Sequence, residues 1–520
     1  VMEVKVGDKI PTLPIPKYVR TANTVKTFES WLYEGQVFDL KLMPAKSIIL
    51  EASWKEGSNV IWFETDADLE INPIVADPQE AIIPPKEMPY KEGYTFTGWT
   101  YQNKPYIFDK MPNSTITVTA NYLANTASNK NETDSIPKLF INIENNQKIT
   151  AVTKETYLNT QITLTNTSDD FSISSVSAEV KGRGNGSWTN SGPKRGYRIK
   201  FFDKQSVFGE AESKHWVLLA GANFYDPTML KTMTAFNMSK QLFTNIDYTS
   251  SANWVELYVS GEYRGVYVLA EHQRTDKDRI NINPKYGTAD TGFFIEYDGY
   301  AANEGPLDLA YFNIPGFKYG FTVKSPDPEE YNIGKNAVSE AVFRTQVANI
   351  KADTQKALAA ALKGQSGYSD FETYADVNSF VDMYILHELF KNTDTGWSSF
   401  FMYKQPNGKL KAVAPWDFDA SAGKNRGNKT SEGLYVSGSA AWESSHTASE
   451  LYITLMNIPQ FKNAVITRFK ELAPKIESFI NDYLSDEVIN TNKETLGQNF
   501  YHWSQNQNTE GLIAEADSAY

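Results

Sequence analysis

The chain has no cysteine in 520 residues. Disulfides, thiolate metal sites and thiol nucleophiles are therefore excluded together. That absence fits an exported bacterial protein without fixing the compartment. Histidine is scarce too. His215, His272, His387, His446 and His502 are scattered with neither HxxxH nor HExxH spacing, so no histidine-based zinc site is expected. No apolar run reaches the ~18 residues that point to a membrane span. Positive charge is in deficit: 50 Lys and Arg stand against 63 Asp and Glu, a net charge of −13, with a pI near 5.1. That balance argues against nucleic acid as a partner and leaves room for a local basic cleft. The opening Val1-Met2-Glu3 has neither the basic nor the apolar stretch of a signal peptide. The expectation is that a leader or anchor has been trimmed from it.

What is present is ordinary for a globular protein: 41% hydrophobic residues and a mean hydropathy of −0.45, enough for a sizeable core. At roughly 150 residues per domain the length suggests about three domains. An internal repeat stands out. Phe28, Trp31, Tyr33, Phe38, Met43, Pro44, Ile48, Ala52 and Trp54 recur as Phe96, Trp99, Tyr101, Tyr106, Met111, Pro112, Ile116, Ala120 and Tyr122, at a constant offset of 68. Apolar and polar residues alternate within each copy, the period of a strand. Two small β modules are expected, over 1–56 and 57–123. The second copy, with Gly93-Tyr94-Thr95-Phe96-Thr97-Gly98-Trp99, its Met-Pro and its Ala-Asn-Tyr, resembles the internalin B-type (Listeria–Bacteroides) repeat. The first lacks the glycine, with Phe28-Glu29-Ser30-Trp31. The resemblance implies β-grasp-like spacers on a bacterial surface protein, open to cell-surface partners and carrying no chemistry.

Residues 124–137 are small and polar and read as a linker. Beyond it, strand-like runs fill about 138–202. A hairpin is expected over Trp254–Glu271, turning at Ser260-Gly261-Glu262. Helical patterns follow near 334–363, near 377–391 and through the last ~75 residues. Strands first and helices later indicate an α+β fold, with 138–520 as one large domain.

Two stretches could carry chemistry. In the first, a helix ends near Asn392, a strand runs from about Ser399 to Gln405, Pro406-Asn407-Gly408-Lys409 signals a turn, and a second strand runs from Leu410 to about Trp416. Antiparallel partners should sum to about 815, which places Ser399 opposite Trp416. Asp394 and Asp417 then emerge at the same end of the hairpin, where two carboxylates can bind Mg2+ and orient a hydroxyl. Protein kinases use this order: a catalytic Asp, a metal-binding residue five positions on, a hairpin, then a metal-binding Asp. Here that order is Asp394, Ser399, the hairpin, then Asp417-Phe418-Asp419. The plain alternative is a surface hairpin with solvated acids. The second stretch is Lys181-Gly-Arg183-Gly-Asn185-Gly-Ser187-Trp188, followed by Lys194-Arg195-Gly-Tyr197-Arg198-Ile-Lys200-Phe201. Glycines permit close approach to phosphate, and Arg198 and Lys200 share a strand face. No P-loop pattern is present, and a basic surface turn is the alternative. Trp188 and Trp416 could stack on adenine, although packing is the better account.

Taken together, these blocks resemble the spore coat protein H (CotH) kinase-like family. So do His215-Trp216, Asn223–Asp226, Gly261–Glu271, Gly292-Phe-Phe-Ile-Glu296-Tyr-Asp298 and Pro415–Asp419, in order from about 138 to beyond 465. The resemblance implies an atypical protein-kinase-like fold that uses ATP and Mg2+ (or Mn2+) to phosphorylate a protein substrate. It assigns Asp394 as catalytic base and Asp417 as metal ligand, with Ser399 and Asp419 beside it. Lys200 would meet the phosphates, with Arg198 and Arg183 nearby, and Glu271 would support Lys200 or a metal. Ser399 stands where many relatives have Asn, and Lys231-Thr232 where Arg-Asn is usual. Two readings follow: an exported atypical kinase, or a surface binding module that has lost catalysis. AMP transfer is a third.

Overall fold

A computed structural model describes residues 4–499, apart from 7–9, 11–12, 14–15, 17, 22–23, 39–42, 67–70, 83–84, 86–88, 90, 92–93, 107, 125–135, 168–170, 186–187, 189–193, 222–225, 227–228, 283, 286, 302–308, 328–336, 423–430, 439–448, 485–491, 493–494 and 497–498. The chain divides into two compact units, Val1–Asn129 with Tyr258–Tyr263, and Lys130–Leu257 with Arg264–Tyr520. Most of the expected linker lies outside the described residues.

The first unit holds β1 (Val19–Arg20), β2 (Val25–Tyr33), β3 (Gln36–Val37), β4 (Glu51–Glu56), β5 (Asn59–Glu64), β6 (Ile74–Ala76), β7 (Tyr94–Tyr101), β8 (Lys104–Pro105) and β9 (Ile116–Ala124). Strands β1 to β4 form one sheet, and a second runs β6-β5-β9-β7-β8. Phe28 lies opposite Trp54 and Trp31 opposite Ala52; 68 residues later Phe96 lies opposite Tyr122 and Trp99 opposite Ala120. The register shift between Phe28 and Ser30 recurs between Phe96 and Gly98. Trp99 is buried against Phe63, ring centroids 4.7 Å apart.

The second unit opens with β10 (Lys138–Ile143), β11 (Leu158–Thr165), β12 (Ile173–Arg183), β13 (Gly196–Gln205) and β14 (Ser213–Leu219). Helix α1 (Leu230–Leu242) precedes the hairpin of β15 (Ala252–Val259) and β16 (Glu262–Glu271). These seven strands close into a barrel in the order β10-β11-β12-β13-β14-β16-β15. The turn of the last hairpin falls at the expected place. Ser260 and Gly261 both have positive φ, 45° and 80°, as a two-residue turn between twisted strands demands. Alternation sorts β13: Tyr197, Ile199 and Phe201 are buried, so Arg198 and Lys200 project from the opposite face.

A five-stranded sheet follows, β18 (Tyr311–Phe312), β19 (Gly320–Ser325), β17 (Phe293–Asp298), β20 (Phe400–Lys404) and β21 (Leu410–Val413) in spatial order. The remaining helices are α2 (Ala337–Leu362), α3 (Tyr368–Tyr374), α4 (Val377–Leu389), α5 (Glu450–Met456) and α6 (Pro459–Tyr483). Mixed sheet and helix give the expected α+β class. Helix α4 is buried from Ser379 to Glu388, as expected of a central helix with no polar face. Asp376 caps it, accepting from Ser379 N at 3.2 Å. Helix α6 buries Phe461, Val465, Leu472, Ile476 and Phe479 at helical spacing, and Pro459 sits in its first turn, where no donor is lost.

The β20–β21 hairpin departs from the expected register. Phe401 pairs with Val413 and Lys404 with Leu410, so partners sum to 814 rather than 815. Gly408 N donates to Gln405 O at 2.9 Å, with Pro406 second in the turn and Asn407 left-handed at φ 56°. That turn leaves an odd number of residues between the paired ends. Strand β21 stops at Val413 because Ala414 turns left-handed, φ 52°, so Trp416 is not paired with Ser399.

Candidate active site

The site begins where α4 ends. Lys391 is left-handed (φ 52°), which turns the chain out of the helix, and Asn392 follows, 1% exposed. Its side chain accepts from Asp394 N at 3.1 Å and donates to Asp417 O at 2.8 Å. One buried amide thus ties the segment bearing Asp394 to the segment bearing Asp417. Ser399 (φ 59°) and Asp417 (φ 54°) are both left-handed. The Ser399 hydroxyl donates to Asp417 Oδ2 at 2.6 Å. Non-glycine residues enter this region only at a cost, and such residues gather at functional sites. Six of them among the described residues, Lys391, Ser399, Asn407, Ala414, Asp417 and Ala422, fall between 391 and 422.

Beneath Ser399 lies a buried acid that sequence reasoning passed over. Glu296 Oε1 on β17 accepts from Ser399 N at 3.1 Å and from the Ser398 hydroxyl at 3.4 Å. Ser398 also donates to Asp298 Oδ1 at 3.2 Å. Lys324 on β19 lies 2.6 Å from Glu296. Burial pushes the Glu296 carboxyl up to about 7; Lys324 opposes the rise, and Asp298 and Asp417 add to it. The strand motif Phe293–Asp298 signalled only a family likeness, and nothing in it assigned Glu296 to the support of Ser399.

Phe418, fully buried, stacks on His387 at 4.8 Å. Trp416, 4% exposed, packs on Phe236 at 5.2 Å and carries the Arg183 guanidinium over its ring at 5.7 Å. Its role here is packing. Trp188 fills space that only a glycine at 182 leaves open, since a Cβ there would lie 2.3 Å from the indole. Lys231 of α1, 0% exposed, donates to Ser421 O at 2.8 Å and so anchors the chain just beyond Asp419.

The residues singled out from sequence fall into two groups. Ser399 and Asp417 are hydrogen-bonded to each other, and Asn392 ties the backbone of Asp394 to that of Asp417; Arg183 joins them: burial pulls its guanidinium down from its ordinary value, while Asp417, Asp419 and Glu296 pull it back up. The rest are not drawn to Asp417. Arg198 bonds His272 at 3.0 Å. Lys200 pairs with Glu179 at 3.2 Å. Glu271 meets Arg279 at 3.1 Å and Ser251 N at 2.9 Å, not Lys200. The ladder explains this: Lys200 lies opposite His215, and Glu271 opposite Trp216, so the two project from opposite faces of the sheet. Part of the Gly-rich run, 186–187, lies outside the described residues.

Among the described residues, no three His, Cys, Asp or Glu side chains converge closely enough to hold a metal. The oxygens at hand are the Asp417 carboxylate and the Ser399 hydroxyl. Mg2+ is commonly held by one or two carboxylates together with substrate phosphates, so this set fits an ion that arrives with a polyphosphate.

The profile of the family described as CotH kinase protein matches residues 180–517. The chain belongs to the CotH kinase family. That span takes in most of the barrel, the five-stranded sheet and the helices, and so every CotH residue placed above. No curated protein matches the chain. CotH is a kinase-like family, which accords with the Asp394–Ser399–Asp417 arrangement.

Proposed function

We propose that this is an exported, cell-surface atypical protein kinase that transfers the γ-phosphate of ATP to a protein hydroxyl. The observation that carries the reading is the Asn392 bridge, which holds Asp394 and Asp417 in one unit. Asp394 accepts the proton of the acceptor hydroxyl as its oxygen bonds the γ-phosphorus, and ADP leaves with the bridging oxygen. Asp417, with Ser399 and with Asp419 beside it, holds Mg2+ or Mn2+, which when bound neutralises phosphate charge. Arg183, Arg198 and Lys200 face the phosphates. Catalysis is then positioning and electrostatics. The two N-terminal modules, which resemble internalin B-type repeats, act as spacers toward cell-surface partners. A surface binding module without catalysis is the second reading, favoured by Ser399, a shorter metal ligand than asparagine.

The test is incubation with ATP labelled at the γ- or α-phosphate, with Mg2+ or Mn2+, beside Asp394→Ala and Asp417→Ala. γ-Label on protein, reduced at least a hundredfold in both variants, is the expected result. α-Label would move the reading to AMP transfer. Absence of label, with no ATP-dependent rise in melting temperature, would leave the binding module.

A further inference from the structure

The two N-terminal modules repeat at an offset of 68 residues, yet one pairing occurs in the second module only. There β9 pairs with β7 on one side and, in parallel, with β5 on the other. Ile61 lies opposite Ile116, Trp62 opposite Thr117, Phe63 opposite Val118 and Glu64 opposite Thr119. The matching strand of the first module is β4, and among the described residues it pairs with β2 alone. Strand β9 has nine residues and β4 has six. At the constant offset Glu51–Glu56 match Thr119–Ala124, so β4 lacks Ile48, Ile49 and Leu50, the counterparts of Ile116, Thr117 and Val118. Those counterparts are the residues that β5 pairs. The strand stops where its outer neighbour is missing.

Burial follows the pairing. Trp99, Met111, Ile116 and Val118 are buried, whereas Trp31, Met43, Ile48 and Leu50 are only half-buried. Ile49 is 80% exposed. In the second module Phe63 of β5 supplies a ring that covers Trp99. Two bonds anchor the start of β5: Asn59 Nδ2 donates to Pro112 O at 2.7 Å, and Val60 N donates to the Thr115 hydroxyl at 3.1 Å. The first module keeps both acceptors at the same offset, as Pro44 O and the Ser47 hydroxyl. An open strand edge is a template for a further strand, and strand addition is a recurrent mode of peptide recognition.

We infer that the edge from Pro44 to Glu51 docks an extended strand of the β5 kind, added in parallel by a partner molecule. Asn59-Val60-Ile61-Trp62-Phe63 gives the pattern: an amide first, aliphatic residues second and third, an aromatic ring fifth. The partner's amide meets Pro44 O, its next N–H meets the Ser47 hydroxyl, and its ring covers Trp31. The inference is independent of the phosphoryl-transfer reading.

The probe is a synthetic peptide of residues 57–78, which holds β5 and β6, titrated calorimetrically into the full chain. Saturable binding is expected. Proline does not suit a central strand, which this edge becomes on docking. Ile49→Pro should therefore weaken binding about tenfold or more, and Ser47→Ala, which removes one hydrogen bond, about fivefold. Both positions are exposed, and each variant is first shown to melt as wild type does. Thr115→Ala, the matched change in the second module, should leave the affinity unchanged. Peptide should slow hydrogen exchange at 48–51 and not at 116–119. No saturable binding, equal affinity in Ile49→Pro, or slowed exchange at 116–119 in place of 48–51 overturns the docking edge. A concentration-dependent dimer of the peptide-free chain, lost in Ile49→Pro, gives the edge to a second copy and overturns the partner.

Discussion

His387 shows how a single buried residue links packing to pH. It is 1% exposed, it stacks on Phe418, and among the described residues neither ring nitrogen has a partner. Burial pulls it down to about 3. The folded state therefore stays unprotonated between about pH 6.5 and 3 while the unfolded chain takes up a proton, and stability falls as pH falls through that window. His387→Leu should remove this penalty. Relative to wild type it should gain about 1.4 kcal/mol more at pH 5.5 than at pH 7.5 in urea unfolding; an equal effect at both values would show that the ring titrates alike in the folded and unfolded chain. Ser399 offers a second case. Its backbone is left-handed, a conformation asparagine tolerates better than most residues. Ser399→Asn should keep the fold and lower the half-saturating Mg2+ concentration for ATP-dependent labelling about tenfold, whereas Ser399→Val should abolish labelling. The acids Asp394 and Asp417 were legible because their spacing around a turn signal is local. Asn392 and Glu296 were not: an amide two residues before an aspartate, and a glutamate about a hundred residues upstream, gain meaning only once the hairpin lies against β17.

Among the elements, the hairpin and helices were readable and the barrel closure was not. Alternation and turn chemistry act within ten residues, but β10 meets β15 across more than a hundred, through pairing that no local pattern encodes. The one-residue error in the β20–β21 register has a local root, since the expected sum depended on how many residues the Pro406–Asn407 turn left unpaired. Helix packing carries its own test. Arg468 of α6 donates to both oxygens of Asp382 on α4, at 2.8 and 3.1 Å, and Asp382 is fully buried. Asn245 donates to the same carboxylate at 3.1 and 3.0 Å through its backbone and side-chain nitrogens. Arg468→Leu strands that charge and should cost about 3 kcal/mol in denaturant unfolding. The double variant with Asp382→Leu should cost less than the single one, because no buried charge remains; a larger loss would mean that Asp382 acts through shape rather than charge.

For the whole molecule, composition excluded classes of chemistry and left a narrow choice. The chain has no thiol, and among the described residues no three His, Asp or Glu side chains converge to hold a metal. No described helix is long and apolar enough to cross a membrane. The left-handed residues between 391 and 422 bear on how such a site comes into being. Backbone conformations of this kind persist only where the surroundings over-determine them. Those surroundings are assembled from distant parts of the chain: Glu296 and Lys324 under Ser399, Phe236 against Trp416, and Lys231 beyond Asp419. The segment therefore has no preference of its own for its final shape, and it can settle only after the sheet and α1 have closed around it. In order of assembly the candidate site comes last, and its geometry appears only with completion of the fold.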